Sequence, residues 1–157
     1  MGRITYANDV AAPPEIAFEY TESPASVSDW LLGVTAFDAE GPLEHGAGAR
    51  FIATFGLLPL RPKVTCEITS YRRGVVLGYT LRGRPNCTLT VRFDPLGHDS
   101  SVMTIVADYP PRHAGWAGRL PGTAVDAFVA WAVRRTENRL RREIAEFHDT
   151  DLVGRIA

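Results

Sequence analysis

Cysteine is scarce in this chain of 157 residues, in which Cys66 and Cys87 are the only two. Two cysteines do not build the disulfide framework of a small secreted domain, and their spacing matches no zinc motif. We expect both to be small buried thiols. The four histidines are scattered along the sequence and form no cluster at metal-ligand spacing. The sequence therefore predicts no metal site.

An excess of charge of one sign and long apolar runs are also lacking. The formal net charge is −1, which gives no electrostatic reason to expect DNA, RNA or an anionic membrane as a partner. No apolar run of roughly 18 residues and no basic start followed by an apolar segment is present, so neither a transmembrane span nor a secretory signal is predicted. We expect a soluble, cytoplasmic protein with no nucleic-acid partner and no stable membrane insertion.

The sequence motifs of several large enzyme classes are absent as well. No GxGxxG, GxxxxGK(S/T), GxSxG or HExxH pattern occurs. This argues against nucleotide-binding, phosphoryl-transfer, serine-hydrolase and zinc-protease chemistry. We predict no cofactor.

A long amphipathic stretch between Thr123 and Phe147 is the strongest structural signal. Its apolar residues recur at the three-and-four spacing of one helix face, namely Val125, Phe128, Val129, Ala132, Val133, Leu140, Ile144 and Phe147. The polar residues, Glu137 among them, are predicted to lie on the opposite side. A helix of about 25 residues is roughly 37 Å long, and a curved sheet wrapped around it supplies a partner surface of that length. This geometry tends to leave a hollow between helix and sheet.

Alternation of apolar and polar residues predicts strands through most of the chain ahead of this helix. The first strand ends at Ala12-Pro13-Pro14, and two short helices then lead to Trp30. Further strands are predicted over residues 34–38, 50–55, 63–69, 75–82, 87–93 and 101–109. The prediction is an α+β fold in which a curved antiparallel sheet of about seven strands, each with one covered face, wraps around the C-terminal helix.

Several segments resemble a known superfamily. They are "ITYANDVAAPPEIAFEYTESPASVSDWLLGVTAFD", "GAGARF", "EITSYRRGVVLGYTL" and the closing amphipathic helix. These look like the START-like superfamily, also called SRPBCC, and most like its polyketide cyclase/dehydrase and lipid-transport group. The resemblance covers residues 3 to 147 and implies one START-like domain over residues 1–157 with a helix-grip fold. We expect residues 148–157 to form a flexible tail.

The resemblance also implies a pocket for an apolar or aromatic small molecule between sheet and helix. Some similar proteins are polyketide aromatases or cyclases, and others carry ligands without transforming them. The family imposes no invariant catalytic residue, so no role is carried over to this chain.

The strand pattern assigns an inward face and a wet outer face. The inward set is Val64, Cys66, Ile68, Leu77, Tyr79, Leu81, Leu89, Val91 and Phe93. Tyr79 is its one polar-tipped member, so its hydroxyl must bond either another buried group or a molecule in the cavity. Glu67 and Arg82 are predicted to lie on the solvated outer face.

The register of the strand 101–109 stays open, and with it the place of Asp108. Asp108 points inward if Val106 does, whereas Tyr109 is the inner residue if Ala107 is. An inward Asp108 would act as an acid or base near His113, and an outward one would be an ordinary solvated aspartate. The catalytic candidates are accordingly Tyr79, Asp108 and His113, although His113 also fits a plain surface residue.

The residues predicted to contact a ligand are aromatic or apolar side chains with a few polar groups among them. They are Trp30, Phe51, Phe55, Tyr79, Leu81, Leu89, Tyr109, Trp116, Phe128, Val129, Ala132 and Thr136. Thr136 interrupts the apolar stripe, and its hydroxyl meets either the cavity or the preceding turn of the helix.

Three functions fit these predictions. The first is a binding protein for a hydrophobic, lipid- or polyketide-like small molecule, and the second is a cofactor-independent polyketide cyclase, aromatase or dehydratase acting in the same hollow. The third is a partner-binding domain that uses the apolar loop from Leu57 to Leu60, which is also a candidate homodimer contact. Binding is favoured, but the sequence does not separate it from catalysis, because both need the same cavity.

Overall fold

The computed structural model describes residues 2–56, 61–82, 86–109 and 122–156. Strand Gly2–Val10 (β1) is followed by helices Pro14–Glu22 (α1) and Pro24–Trp30 (α2). The next strands are Val34–Ala39 (β2), Arg50–Phe55 (β3), Lys63–Arg72 (β4), Val76–Arg82 (β5), Cys87–Leu96 (β6) and Ser100–Tyr109 (β7). The last helix, α3, spans Gly122–Ile156. This order confirms the predicted helix-grip architecture.

The seven strands form one antiparallel sheet in the order β1-β7-β6-β5-β4-β3-β2. The chain passes from the edge strand β1 to the opposite edge, β2, through the two short helices. Both short helices begin with a proline, Pro14 and Pro24, whose fixed φ suits a first helical position. Since the residue before a proline avoids the helical region, Ser23 is extended and the chain bends between α1 and α2.

The inner face of the sheet agrees with the predicted alternation. Cys66, Ile68, Leu77, Tyr79, Leu89, Val91 and Phe93 are all buried, whereas Val64 and Leu81 are half-buried. On the outer face Glu67 accepts hydrogen bonds from Arg50 at 3.0 Å and Arg82 at 2.6 Å. Glu67 and Arg82 thus form an ordinary surface ion pair.

The register of β7 settles the alternative left open by the sequence. Ser101, Met103, Ile105, Ala107 and Tyr109 are buried, and the residues between them are only partly covered. Tyr109 therefore lies inside and Asp108 outside. Arg3 on the neighbouring strand β1 donates a hydrogen bond to Asp108 at 2.7 Å.

Helix α3 is longer than predicted, and its covered face differs from the predicted stripe at two positions. It has 35 residues and continues to Ile156, so it measures roughly 52 Å. The flexibility expected for residues 148–157 stays a prediction. The buried positions form one stripe: Val133, Thr136, Glu137, Leu140, Ile144 and His148.

Two side-chain assignments on α3 were therefore wrong. Phe128 is 64% exposed and Glu137 only 3%. At 100° per residue Phe128 lies roughly 160° around the helix from the buried Ile144, so it falls on the outer side. Phe128 and Val129 lie on different faces of the helix, whereas the predicted stripe assigned both to the same face. The side chain of Val125, another predicted member, is outside the described part of the structure.

Two polar contacts fix the side of α3 that faces β1 and β7. The Tyr109 hydroxyl of β7 donates to Asp126 Oδ1 at 2.6 Å, and Arg141 Nε donates to the backbone carbonyl of Asp9 at 2.8 Å. The helix also packs on α1 and α2, where the rings of Tyr20 and Phe147 lie 5.3 Å apart. No helix within the described ranges is both long and apolar enough to cross a membrane.

Shortening a buried side chain of α3 tests how much the packing of this helix stabilises the fold. We expect Leu140→Ala to lower the free energy of unfolding by about 2–5 kcal/mol, because Leu140 is fully buried and its removal leaves a cavity. Urea denaturation followed by circular dichroism measures the loss. The exposed residue Arg142 supplies the control, since Arg142→Ala should stay within about 0.5 kcal/mol of the wild type. Equal losses in both variants would contradict the packing described.

The contact between Tyr109 and Asp126 predicts a loss of stability at high pH. Burial, and then the hydrogen bond and negative charge of Asp126, raise the pKa of Tyr109 to about 12, above the value of about 10 in an unfolded chain. This contribution is complete below pH of about 10 and is lost as the pH rises to about 12. The urea midpoint of unfolding is measured across this pH range, and the absorbance of the phenolate follows the ionisation of tyrosine. The midpoint should fall less steeply with pH in Asp126→Asn than in the wild type. Superimposable pH profiles would refute the contact.

Candidate functional site

Three aromatic rings on the inner face of the sheet show how strongly the sheet curves. The Phe37 ring of β2 stacks on Phe51 of β3 at a centroid distance of 4.6 Å and meets the edge of Tyr79 of β5 at 5.9 Å. Strands β2 and β5 are three positions apart, which is roughly 14 Å along a flat sheet. The rings reach each other because the sheet bends around them. These three residues form the aromatic cluster of the interior.

The hydroxyl of Tyr79 is the polar group of this cluster. Burial, with smaller contributions from Cys66 and Glu22, raises the pKa of Tyr79, so the hydroxyl keeps its proton at neutral pH. Tyr79 is 3% exposed, so it places a protonated hydroxyl group in the apolar interior.

Trp30, at the end of α2, carries a second buried polar atom. The side chain is fully buried, and its Nε1 has no acceptor within the described part of the protein. An unpaired buried donor costs about 1–3 kcal/mol. The indole ring is apolar in all but this atom, so it combines a hydrophobic surface with one directional contact.

Glu137 on α3 is a candidate site residue that the sequence analysis missed. Its Oε1 is buried without a hydrogen-bond partner among the described residues. The signal was present in the sequence, because Glu137 follows Val133 by four residues and precedes Leu140 by three, which is the spacing of the buried stripe. It was placed on the wet side on the strength of residue type alone.

The structure buries only part of the predicted ligand-contact set. Trp30, Phe51, Tyr79, Leu89, Tyr109 and Thr136 are buried, and Phe55, Leu81, Val129 and Ala132 are half-buried. Phe128 points outward beside the exposed Trp131, with ring centroids 6.0 Å apart. It does not belong to the interior, and Trp116 lies outside the described residues.

The catalytic candidates separate in the same way. Tyr79 is inside, Asp108 lies on the outer face with Arg3, and His113 is outside the described residues. Asp108 is thus removed from any interior chemistry. The predicted dimer loop from Leu57 to Leu60 also lies outside the described ranges and stays a prediction.

A cleft with a volume of about 730 Å³ opens at the surface between α1 and the β4–β5 turn. It is lined by Glu15, Phe18, Glu19, Glu22, Ser23, Pro24, His45, Arg73 and Gly74. No residue of the predicted ligand-contact set lines it, so it is distinct from the expected cavity between sheet and α3, which stays a prediction. Within the described residues, no group of three or more His, Cys, Asp or Glu side chains is placed to hold a metal ion.

Solved structures share this fold. A START superfamily protein from Mycobacterium smegmatis superimposes with a TM-score of 0.73 at 10% identity, covering 92% of this chain and 97% of that one. The Zhui aromatase/cyclase from Streptomyces sp. R1128 gives a TM-score of 0.67 at 16% identity over 91% and 93% of the two chains. Truncated norcoclaurine synthase from Thalictrum flavum gives 0.63 at 17% identity over 92% and 94%. At these identities the likeness concerns the fold.

Comparison with curated protein sequences gave no significant match. A family model described as "Polyketide cyclase / dehydrase and lipid transport" matches residues 1–145. This range runs from β1 into the second half of α3, and it contains the sheet, both short helices and the buried stripe as far as Ile144. The chain therefore belongs to the polyketide cyclase/dehydrase and lipid-transport family.

Proposed function

We propose that the protein binds a hydrophobic or aromatic small molecule, lipid- or polyketide-like, between the inner face of the sheet and α3. The observation that carries this proposal is the aromatic cluster, with the buried and protonated Tyr79 in it, on a curved, apolar surface. Binding sites for small molecules combine apolar walls with a few directional polar groups, and this surface has both. Membership of a family described by cyclase, dehydrase and lipid-transport functions supports the same assignment.

The proposal includes a direction of access. Phe55, Lys63, Arg82, Cys87 and Tyr109 end or begin their strands at one end of the sheet. Helix α3 begins at this end too, since Asp126 in its second turn contacts Tyr109. In the proposal a ligand enters here, because α1 begins beyond Val10, at the opposite end of the sheet, and packs on α3.

A second candidate function is a cofactor-independent polyketide cyclase, aromatase or dehydratase. The observation that favours it is a buried Tyr79 whose hydroxyl keeps its proton, since such a group is suited to donate a proton or a hydrogen bond to a carbonyl oxygen of a folded polyketide chain. The resemblance in fold to an aromatase/cyclase agrees with this reading. Binding is the primary proposal, because it requires only the surface described.

Filling the interior tests the binding proposal. Ala107 points inward on β7 and Val106, its neighbour, points outward. We expect Ala107→Phe to weaken binding of the uncharged fluorescent probe N-phenyl-1-naphthylamine at least about tenfold, because the added ring occupies the proposed site. A tenfold change corresponds to about 1.4 kcal/mol of binding free energy. Val106→Phe, the matched control, should stay within about twofold.

Fluorescence titration of folded wild type and both variants measures this difference. Native mass spectrometry of the purified wild type should also detect a co-purified apolar molecule. A wild type that binds neither probe nor co-purified molecule would overturn the proposal, and so would equal effects of the two phenylalanine variants.

Replacement of the Tyr79 hydroxyl separates binding from catalysis. If the protein is a cyclase, Tyr79→Phe should lower the conversion of a linear poly-β-ketone thioester by about 100-fold or more while the probe still binds. Product formation is followed by liquid chromatography and mass spectrometry. Unchanged conversion by Tyr79→Phe would remove Tyr79 from the chemistry, and no conversion by the wild type would argue against the cyclase.

A further inference from the structure

We infer that Glu137 selects ligands that carry a hydrogen-bond donor, a hydroxyl or an ammonium group, by accepting that bond at its unpaired Oε1. This inference deepens the proposed function and rests on it. The proposed function requires only an apolar ligand, whereas Glu137 adds a chemical requirement on one part of it.

The position of Glu137 follows from the two polar contacts of α3. Asp126 and Arg141 mark the side of the helix that faces β7 and β1. Glu137 lies three helical turns after Asp126 and one turn before Arg141, so it projects from the same side, between the two contacts. It therefore faces the inner surface of β1 and β7 and not the solvent, which agrees with its exposure of 3%.

The surroundings of Glu137 are mostly apolar. The inward residues of β7 along this stretch are Met103, Ile105 and Ala107, and the helix contributes Val133 and Leu140 on either side of Glu137. Tyr6 and Asn8 of β1 pair with Ile105 and Met103. Oε1 has no hydrogen-bond partner in the described part of the protein.

The cationic neighbour in the next turn is engaged elsewhere. Arg141 donates from Nε to the Asp9 carbonyl, and its Nη2 lies 3.6 Å from the Asp9 carboxylate. Arg141 thus ties α3 to the end of β1 instead of neutralising Glu137. The buried acceptor is left for a group that enters from outside the chain.

An unpaired buried acceptor discriminates strongly between ligands. A ligand donor that reaches Oε1 gains a charge-assisted hydrogen bond, and an otherwise similar ligand without a donor leaves the acceptor unpaired. Sites built around a hydrogen bond reject analogues that lack the partner far better than apolar pockets reject analogues of the wrong size. Glu137 therefore favours phenols, alcohols or amines over hydrocarbons of the same shape.

Matched probes test this selection directly. 2-Naphthol and 2-methoxynaphthalene share one ring system and differ in the donor, and 2-naphthylmethylamine supplies the ammonium arm. Dissociation constants are measured by isothermal titration for the wild type, Glu137→Gln, Glu137→Leu and the control Glu146→Leu. Glu146 lies on the same helix and is exposed, so the control makes the same chemical change away from the interior.

We expect the wild type to prefer 2-naphthol or the amine over 2-methoxynaphthalene by about 10- to 100-fold. Glu137→Gln should reduce the preference to a few-fold, because a neutral acceptor forms a weaker bond. Glu137→Leu should abolish the preference and still bind 2-methoxynaphthalene. Glu146→Leu should keep the wild-type preference, and the two donor probes show whether a hydroxyl or an ammonium group is favoured.

Thermal unfolding separates selection from a structural role. Glu137→Leu should raise Tm by about 2–4 °C, since removal of an unpaired buried acceptor stabilises the ligand-free protein. A preference that survives in Glu137→Leu, or in Glu137→Gln if the leucine variant does not fold, overturns the inference and leaves the proposed function standing. A Tm lowered by Glu137→Leu with an unchanged preference assigns Glu137 a structural role and also overturns it. Failure of all three probes to bind the wild type overturns both proposals.

Discussion

Packing of one long helix across the concave face of a single sheet is the constraint on which the rest of this structure depends. The sheet has two wide faces, and its outer face is solvated by charged side chains such as the group around Glu67. The inner face is apolar from β2 to β7, so it needs a cover. Helix α3 supplies that cover on one side and the short helices α1 and α2 on the other. Curvature of the sheet and the lengths of the helices are consequences of this requirement.

The fold could be predicted from the sequence because each element carries a strong periodic signal. Residues 64–69 of β4 and 87–93 of β6 alternate between apolar and polar side chains, and two prolines mark the starts of α1 and α2. The alternation could not show which side chains of β7 face inward, because Val102, Thr104 and Val106 are as apolar on average as Met103, Ile105 and Ala107. Only the pairing with β1 and β6 decides between them. The same choice determines whether Asp108 or Tyr109 lies on the inner face.

The candidate site was less predictable, because residue type and position disagree at the residues that matter. Glu137 occupies a core position of α3 and Phe128 an exposed one, the reverse of what hydrophobicity alone assigns. Natural sequences are locally consistent except where function requires otherwise. A buried acid and an exposed ring on one helix are therefore informative departures. Tyr79, in contrast, was identified correctly as the polar member of an apolar set.

Contact between Phe37 and Tyr79 has a consequence for the mechanics of the sheet. An edge strand ordinarily detaches by breaking only the hydrogen bonds to its single neighbour. Here, separation of β2 also withdraws the Phe37 ring from Tyr79, three strands away. Fraying at this margin is thereby linked to the middle of the sheet, so β2 opens cooperatively with the core instead of unzipping alone.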